Sequence, residues 1–203
     1  MDEIPLFPLP IVLLPTEIVP LHIFEDRYKE MIARCLDEET EFGIIWLSDD
    51  GLKDIGCTAR VTEVLERMDD GRMNILVQGA SPFRLLEKRE DLPYPAGSVE
   101  MLDDKSESVE EKVSDEARER FALLVERVTD RRPGDETLAD LNAYEMAASV
   151  DIGADVKQGL LELRSEQARL RLLARLFDAA MERLDVAEKI AEQARGNGKV
   201  RFS

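Results

Sequence analysis

The stretch IPLFPLPIVLLPTEIVPLHIFEDRY, residues 4–28, decides how the first half of the chain folds. Five prolines lie among its mostly aliphatic residues before the charged run EDR at residues 25–27. Each proline fixes φ and removes a backbone donor, so the stretch cannot form a long helix. It also lacks the basic start and the continuous apolar core of a signal peptide. We therefore predict short extended pieces at a sheet edge, leading into a strand over residues 18–24.

A helix is predicted to follow this strand directly. Asp26 can act as its N-cap, and apolar residues recur at spacings of three and four from Tyr28 to Leu36. This spacing is typical of a helix with one buried face. The run FGIIWL at residues 42–47 has the length of a strand, and the turn sequence SDDG follows it.

The clearest hairpin begins at Cys57. Residues alternate between two faces from Cys57 to Arg67, and Met73–Val77 continues as the partner strand. Asp70-Gly71 lies between them and is a favoured tight turn because glycine tolerates positive φ. Gly79 permits a bend after the second strand. The segments that follow are predicted as a strand at 83–86, a surface loop at 92–97 and a strand at 99–102.

The pattern changes past Asp104 to helical spacing. Apolar residues recur every three to four positions in segments 109–128, 138–148, 156–163 and 166–194. The sequence RRPGDE breaks the first of these helices, and the terminal GNGKVRFS is expected to fray. Strands that precede the helices, instead of alternating with them, indicate an α+β fold.

Three blocks of this sequence carry a family resemblance. Residues 5–28 resemble the start of the Lon N-terminal domain family, the substrate-recognition domain of the ATP-dependent Lon protease. DIGCTARVTEVLERMDDGRMNILVQGASPFRLLE, residues 54–87, resembles the central hairpin of that domain. DVKQGLLELRSEQARLRLL, residues 155–173, resembles its C-terminal helices. The blocks keep the family's order, and the form LHIFEDRY is similar to small stand-alone members that lack the protease.

This resemblance implies an architecture and limits the activity. The implied parts are an N-terminal PUA-like β-pseudobarrel with one helix over residues 1–104, an α-helical bundle over residues 105–195 and a flexible tail over residues 196–203. In the family, the ATPase and the Ser-Lys peptidase lie C-terminal to this domain. We therefore expect a chain that is not an enzyme and neither hydrolyses ATP nor cleaves peptides.

The charge of the chain narrows the class of partner. The net charge is −17, and residues 1–104 carry most of it. Affinity for nucleic acid rests largely on Lys and Arg that displace counterions, so a nucleic-acid partner is not expected. Charged residues make up 35% of the chain, and no window is long and apolar enough to cross a membrane. We expect a cytoplasmic protein without a membrane partner.

The residue types that catalysis requires are sparse. His22 is the single histidine and lies in a predicted apolar strand, where a structural hydrogen bond is its expected role. Cys35 and Cys57 lack a surrounding motif and are expected to be small buried apolar residues. The sequence contains neither a G-x-S-x-G elbow nor a phosphate-binding glycine loop. We predict no catalytic residue, no metal site and no cofactor.

A binding surface is the function class that remains. In the family this domain helps to recognise unfolded or damaged polypeptides, which requires exposed apolar area on a shaped platform. The candidate binding residues are the single Trp and the apolar loop residues that a core need not claim: Leu13, Leu14, Pro15, Trp46, Pro93, Tyr94 and Pro95. For Trp46, strand periodicity favours core packing beside Phe42 and Ile44 over a partner contact.

The leading hypothesis is a non-enzymatic protein-binding module. Its partners would be unfolded or misfolded polypeptides, or a protease or chaperone system that it serves as an adaptor. Two alternatives stay open. The helical stripes of the second half can pack between copies of the chain, which would make a homo-oligomeric structural protein. A PUA-like barrel can also bind a small molecule or RNA, by analogy of fold alone.

Overall fold

The computed structural model describes residues 2–89 and 91–197. The strands are β1 (Asp2–Leu9), β2 (Ile18–Ile23), β3 (Phe42–Ser48), β4 (Gly51–Arg67), β5 (Met73–Arg89) and β6 (Ala96–Met101). The helices are α1 (Asp26–Asp37), α2 (Glu111–Thr129), α3 (Asp135–Asp140), α4 (Ala143–Ala148), α5 (Ala154–Glu162) and α6 (Glu166–Asn197). The α+β class predicted from the sequence is confirmed.

Five of the strands close into a ring. β1 pairs with β3 in parallel, while the pairs β3–β4, β4–β5, β5–β6 and β6–β1 are antiparallel. β5 is 17 residues long, so its second half can pair with β6 while its first half pairs with β2. β2 lies outside this ring and extends the sheet beside β5. The name PUA-like stays a prediction.

Phe83 fills the centre of this ring. It is completely buried and packs with Leu6, Ile45 and Val99. A Cβ atom added to Gly43 or Gly56 would lie 2.7 Å from the Phe83 ring. β3 and β4 therefore carry glycine where they contact the aromatic ring of Phe83, and a larger residue at either position would displace that side chain.

Helix α1 covers one face of the sheet with the stripe that the sequence predicted. Its buried side chains are Tyr28, Met31, Ile32 and Cys35. The rings of Tyr28 and Phe7 lie 4.1 Å apart between centroids, which ties the helix to β1.

The segment predicted as one helix over residues 138–148 is divided in the structure. α3 ends at Asp140, and the backbone at Leu141 is extended, with φ −72° and ψ 129°. α4 begins at Ala143. The prediction of one helix here is wrong because apolar spacing alone does not report a two-residue break.

The chain forms two compact units. The sheet unit comprises residues 2–106 and 144–165, and the helical unit comprises residues 107–143 and 166–197. The predicted boundary at 104/105 differs from this division, because α5 packs on β4 and belongs to the sheet unit. Residues 198–203 of the predicted tail lie outside the described residues.

Helices α2 and α6 form the core of the helical unit. The rings of Phe121 and Phe177 lie 5.7 Å apart between centroids, and Nε of Arg120 donates to Asp178 at 2.7 Å. None of the helices in the described part of the chain combines the length and the apolar composition that a membrane crossing requires.

Candidate functional site

An apolar cleft of about 580 Å³ opens on the sheet unit. Its apolar lining comes from the end of β1, the β2–α1 junction and the β3–β4 turn, and it includes Pro8, Leu9, Pro10, Phe24, Leu47 and Leu52. Phe24 is 59% exposed and Leu47 is 49% exposed. Two large apolar side chains are thus presented to solvent at the wall of one concave surface, as a binding site requires.

Phe24 is held in place by the start of α1. Glu25 is the N-cap residue with an extended backbone, and its carbonyl oxygen accepts from the N–H groups of Tyr28 and Lys29, both at 3.0 Å. The ring of Phe24 stacks on His22 with centroids 5.9 Å apart. The side chain therefore stands between a paired strand and a helix, and little freedom remains to be lost on binding.

Leu47 lies just before the turn between β3 and β4. The hydroxyl of Ser48 donates to the carbonyl of Gly51 at 3.0 Å, which closes this turn. Gly51 has φ 110°, a backbone conformation that side-chain-bearing residues rarely adopt. Leu47 and Leu52 pair across the turn, and both line the apolar cleft.

A second cleft, the basic cleft, adjoins the first and measures about 340 Å³. Its charged lining residues are Arg27, Lys88 and Arg89. It shares five lining residues with the apolar cleft: Pro8, Arg27, Leu52, Lys88 and Pro95. The two clefts are therefore parts of one surface.

The three cations of the basic cleft differ in their partners. Arg27 pairs with Glu25 at 2.7 Å. Arg89 pairs with Asp91 at 2.6 Å and with Glu3 at 3.3 Å. The hydrogen bond to Asp91, followed by the charges of Asp91 and Glu3, raises the pKa of Arg89 above its ordinary value. Lys88 has no ion pair with any residue that the structure describes.

The predicted binding residues of the first loop are buried. Leu13, Leu14 and Pro15 all lie in the core, and Leu14 is 0% exposed. The N–H of Thr16 donates to the carbonyl of Gly79 at 2.9 Å, and the N–H of Gly79 donates back to Glu17 at 2.9 Å. The expectation that this loop is exposed is wrong, because these bonds hold it flat against β5.

The second predicted loop divides between core and surface. Tyr94 is buried and its hydroxyl accepts from Nη1 of Arg34 at 2.9 Å, so the expectation of an exposed Tyr94 is wrong. The N–H of Leu6 donates to the carbonyl of Pro95 at 2.7 Å. Pro93 is exposed and Pro95 is half-buried, and both line the basic cleft.

Trp46 lines neither cleft. It is half-buried, while its same-face neighbours Phe42 and Ile44 are buried. The ammonium group of Lys53 lies 5.4 Å from the centroid of its ring, within the range of a cation–π contact. A partner contact through Trp46 stays a prediction.

The polar residues weighed for catalysis do not come together. Nδ1 of His22 lies 2.6 Å from Oδ1 of Asn74, an exposed hydrogen bond between neighbouring strands. Cys35 and Cys57 are free and buried, and loss of solvation by burial raises the pKa of both thiols. Within residues 2–89 and 91–197, no group of three or more His, Cys, Asp or Glu side chains is arranged to hold a metal ion.

The raised pKa of Cys57 predicts a loss of stability in alkali. Burial keeps the Cys57 thiol protonated in the folded state, whereas in the unfolded chain the thiol ionises with a pKa of about 9.0. The contribution of the thiol to the stability of the folded state is therefore fully present below this pKa and falls as the pH rises above it. Between pH 9 and 11 we expect the free energy of unfolding of the native chain to fall by about 1 kcal/mol per pH unit relative to that of Cys57→Ala. Denaturant titrations of both proteins measure this difference, and parallel pH curves would contradict it.

Comparison with known proteins identifies the family. The sequence profile of the ATP-dependent protease La (LON) substrate-binding domain matches residues 3–179. The Lon protease of Anaeromyxobacter dehalogenans is 28% identical over 91% of this chain, and Lon protease 2 of Myxococcus xanthus is 29% identical over 91%. Each match covers 24% of the relative, so the chain spans about a quarter of their length.

Solved structures show the same fold. A Lon N-terminal domain protein from Xanthomonas campestris superposes with a TM-score of 0.67 at 22% identity, covering 85% of this chain and 97% of that one. The N-terminal domain of a Mycobacterium avium complex Lon protease gives 0.68 at 17% identity, covering 87% and 98%. From its profile match and these relatives, the chain belongs to the family of the ATP-dependent protease La (LON) substrate-binding domain.

Proposed function

We propose that this chain is a non-enzymatic protein-binding module that takes apolar side chains of unfolded or damaged polypeptides into the apolar cleft. The observation that carries the proposal is the pair Phe24 and Leu47, 59% and 49% exposed at the wall of one cleft. Membership of a substrate-binding domain family supports it. The same surface would serve an adaptor that presents such polypeptides to a proteolytic system.

The expected affinity follows from the apolar area that a ligand would cover. Full burial of a Phe or Leu side chain contributes about 1.5–3 kcal/mol, and roughly half of this remains available at Phe24 and Leu47. Their chain neighbours Glu25 and Ser48 are held by hydrogen bonds at the start of α1 and in the β3–β4 turn, so the backbone at both positions loses little freedom on binding. Together the two side chains should contribute about 1.5–3 kcal/mol, a factor of roughly 10–150 in Kd, and this contribution should survive high salt because apolar burial is not screened by ions.

The test is fluorescence anisotropy of a labelled, permanently unfolded polypeptide titrated with the protein at low and high salt. The double variant Phe24→Ser/Leu47→Ser should weaken binding at least tenfold. Leu86→Ser is the matched control, because Leu86 is 45% exposed on β5 and lines neither cleft. Equal loss in the control variant, or no binding by the native chain, would contradict the proposal.

A second candidate, self-association, is favoured by one observation on α6. Val186 and Ile190 are 55% and 61% exposed and lie four residues apart, so they share one face of this helix. Packing of these two side chains between two copies of the chain would remove this apolar surface from solvent. Light scattering should then give a mass above 23.0 kDa, and Ile190→Glu should restore the monomer. A monomer at high concentration would remove this candidate.

A further inference from the structure

We propose that the basic cleft binds an acidic side chain of the same polypeptide segment, so that the preferred ligand is an apolar sequence with an Asp or Glu beside it. This inference rests on the proposed function of the apolar cleft and names its ligand class. The basic cleft supplies the charge recognition, and Lys88 is its principal anchor.

One extended segment can reach both clefts. They share Pro8, Arg27, Leu52, Lys88 and Pro95, so no wall separates them. Side chains two positions apart on an extended chain point to the same side and lie about 7 Å apart. A ligand that places an apolar side chain beside Phe24 therefore brings a nearby residue to the basic cleft.

On an acidic chain, the basic cleft presents one cation, Lys88, that is not ion-paired with any described residue. Its described lining holds Arg27, Lys88 and Arg89 and no carboxylate, although the chain carries a net charge of −17. An acidic ligand residue is thus attracted chiefly to Lys88, since carboxylates already pair with Arg27 and Arg89. A positive charge at one place on an acidic protein favours ligands that carry an acidic residue at the matching position, which is how charge complementarity contributes to specificity.

Lys88 is the cation best placed to accept a new partner. Arg27 is engaged by Glu25, and Arg89 is engaged by Asp91 and Glu3. Lys88 is exposed and has no ion pair among the described residues, so no described ion pair has to break when a ligand carboxylate binds there. Its backbone is fixed by pairing with Gly97 of β6.

The lining favours an acidic side chain over a C-terminal carboxylate. Terminal carboxylates are captured by clusters of backbone N–H groups. Two residues of the loop that lines this cleft are Pro93 and Pro95, which have no N–H. The long cationic side chains of the lining recognise Asp and Glu as charges.

The test uses three labelled peptides with one apolar core. The first carries Asp beside the core and an amidated C-terminus, the second carries Asn there with the same amide, and the third carries Asn with a free C-terminal carboxylate. At low salt the Asp peptide should bind about fivefold more tightly than its Asn counterpart, the size expected for one exposed charge pair. High salt should remove this preference but leave apolar binding.

Variants assign the preference to Lys88. Lys88→Met keeps the aliphatic stem and should abolish the preference for Asp, while Lys88→Glu should reverse it. Arg67→Glu is the control, because it makes the same change of net charge at the far end of β4 and lines neither cleft. It should leave the preference intact.

The outcomes separate this inference from the proposed function. Equal affinity for the Asp and Asn peptides, with apolar binding intact, would overturn the role of the basic cleft alone. A preference that follows the free C-terminal carboxylate would overturn the acidic side chain as ligand. Absence of binding by all three peptides would overturn both proposals.

Discussion

Phe83→Ala is expected to lower the free energy of unfolding of the sheet unit by about 3–5 kcal/mol, the range for removing a buried aromatic ring. Phe83 is 0% exposed and occupies the centre of the ring of strands with Leu6, Ile45 and Val99. These neighbours belong to three strands that are paired to one another or to β5. Because closed pairing prevents the wall from collapsing inward, most of the cavity should persist.

Trp46 provides the readout for this variant. It is the only Trp of the chain and lies on β3 of the sheet unit, so its fluorescence reports unfolding there. Leu86→Ala is the control on the same strand, and we expect it to change stability by less than about 0.5 kcal/mol because Leu86 is exposed. A loss of under about 1 kcal/mol in Phe83→Ala would contradict the central role of this ring.

The glycines beneath Phe83 sharpen the prediction. A Cβ at Gly43 would meet side-chain atoms of Phe83 and Ile4, whereas a Cβ at Gly56 would also meet the backbone oxygen of Ile44 at 2.5 Å. Gly43→Ala should therefore cost less in the Phe83→Ala background than in the native chain. Gly56→Ala should stay costly in both. The coupling energy from a double-mutant cycle measures this contrast.

Gly79→Ala is the second large effect, with an expected loss of about 3 kcal/mol. A Cβ at this position would lie 2.1 Å from the carbonyl oxygen of Leu14, which is backbone and cannot turn aside. The added methyl group must push the loop of Leu13 and Leu14 off β5. It would strain the hydrogen bonds of Thr16 and Glu17 to Gly79.

The matched control is the same substitution on α5. Gly159 lies inside that helix and has no atom within 4 Å of an added Cβ. Gly159→Ala should stabilise the chain by about 0.5–1 kcal/mol, because alanine is the better helix former. Denaturant unfolding of the two variants should move the midpoint in opposite directions. Stabilisation by Gly79→Ala would show that the loop of residues 12–17 is not held against β5.

The sequence predicted the local elements well where one signal dominates. The turn at Asp70-Gly71 is present, with φ 82° at Gly71, and Arg67 pairs with Met73 across it. The lengths of β4 and β5 were underestimated, since each spans 17 residues. Register shifts near Cys57 and Val61 interrupt the alternation of faces, so a period of two could not be followed through them.

The roles of the glycines were only partly predictable. Gly79 was expected to mark a bend after a strand, but it lies within β5 beneath the loop that contains Leu14. The close approach of that loop depends on contacts distant in sequence. For the same reason Leu13 and Leu14 were expected at the surface, although apolar loop residues can close a core.

The clefts themselves could not be predicted from the sequence. Phe24 follows β2, while Leu47 lies on β3 and Lys88 on β5, and these segments are brought together by pairings of strands distant in sequence, among them β2 with β5 and β1 with β3. One local signal was available at Phe24. An apolar residue just before a helix N-cap often packs on the first turn, and here it remains exposed instead.

The division of the chain into units also determines when each can be completed during synthesis. The chain passes between the units three times, and α5, which belongs to the sheet unit, is synthesised only after residues 107–143 of the helical unit. Ribosomes add about 5–20 residues per second, so roughly 3–12 s separate residue 106 from residue 165. During this interval Glu17 lacks its partner Lys157, and the carbonyl of Ile55 lacks the amide of Gln158. The strands leave the ribosome first, yet the sheet unit is complete only after residue 165 has been synthesised.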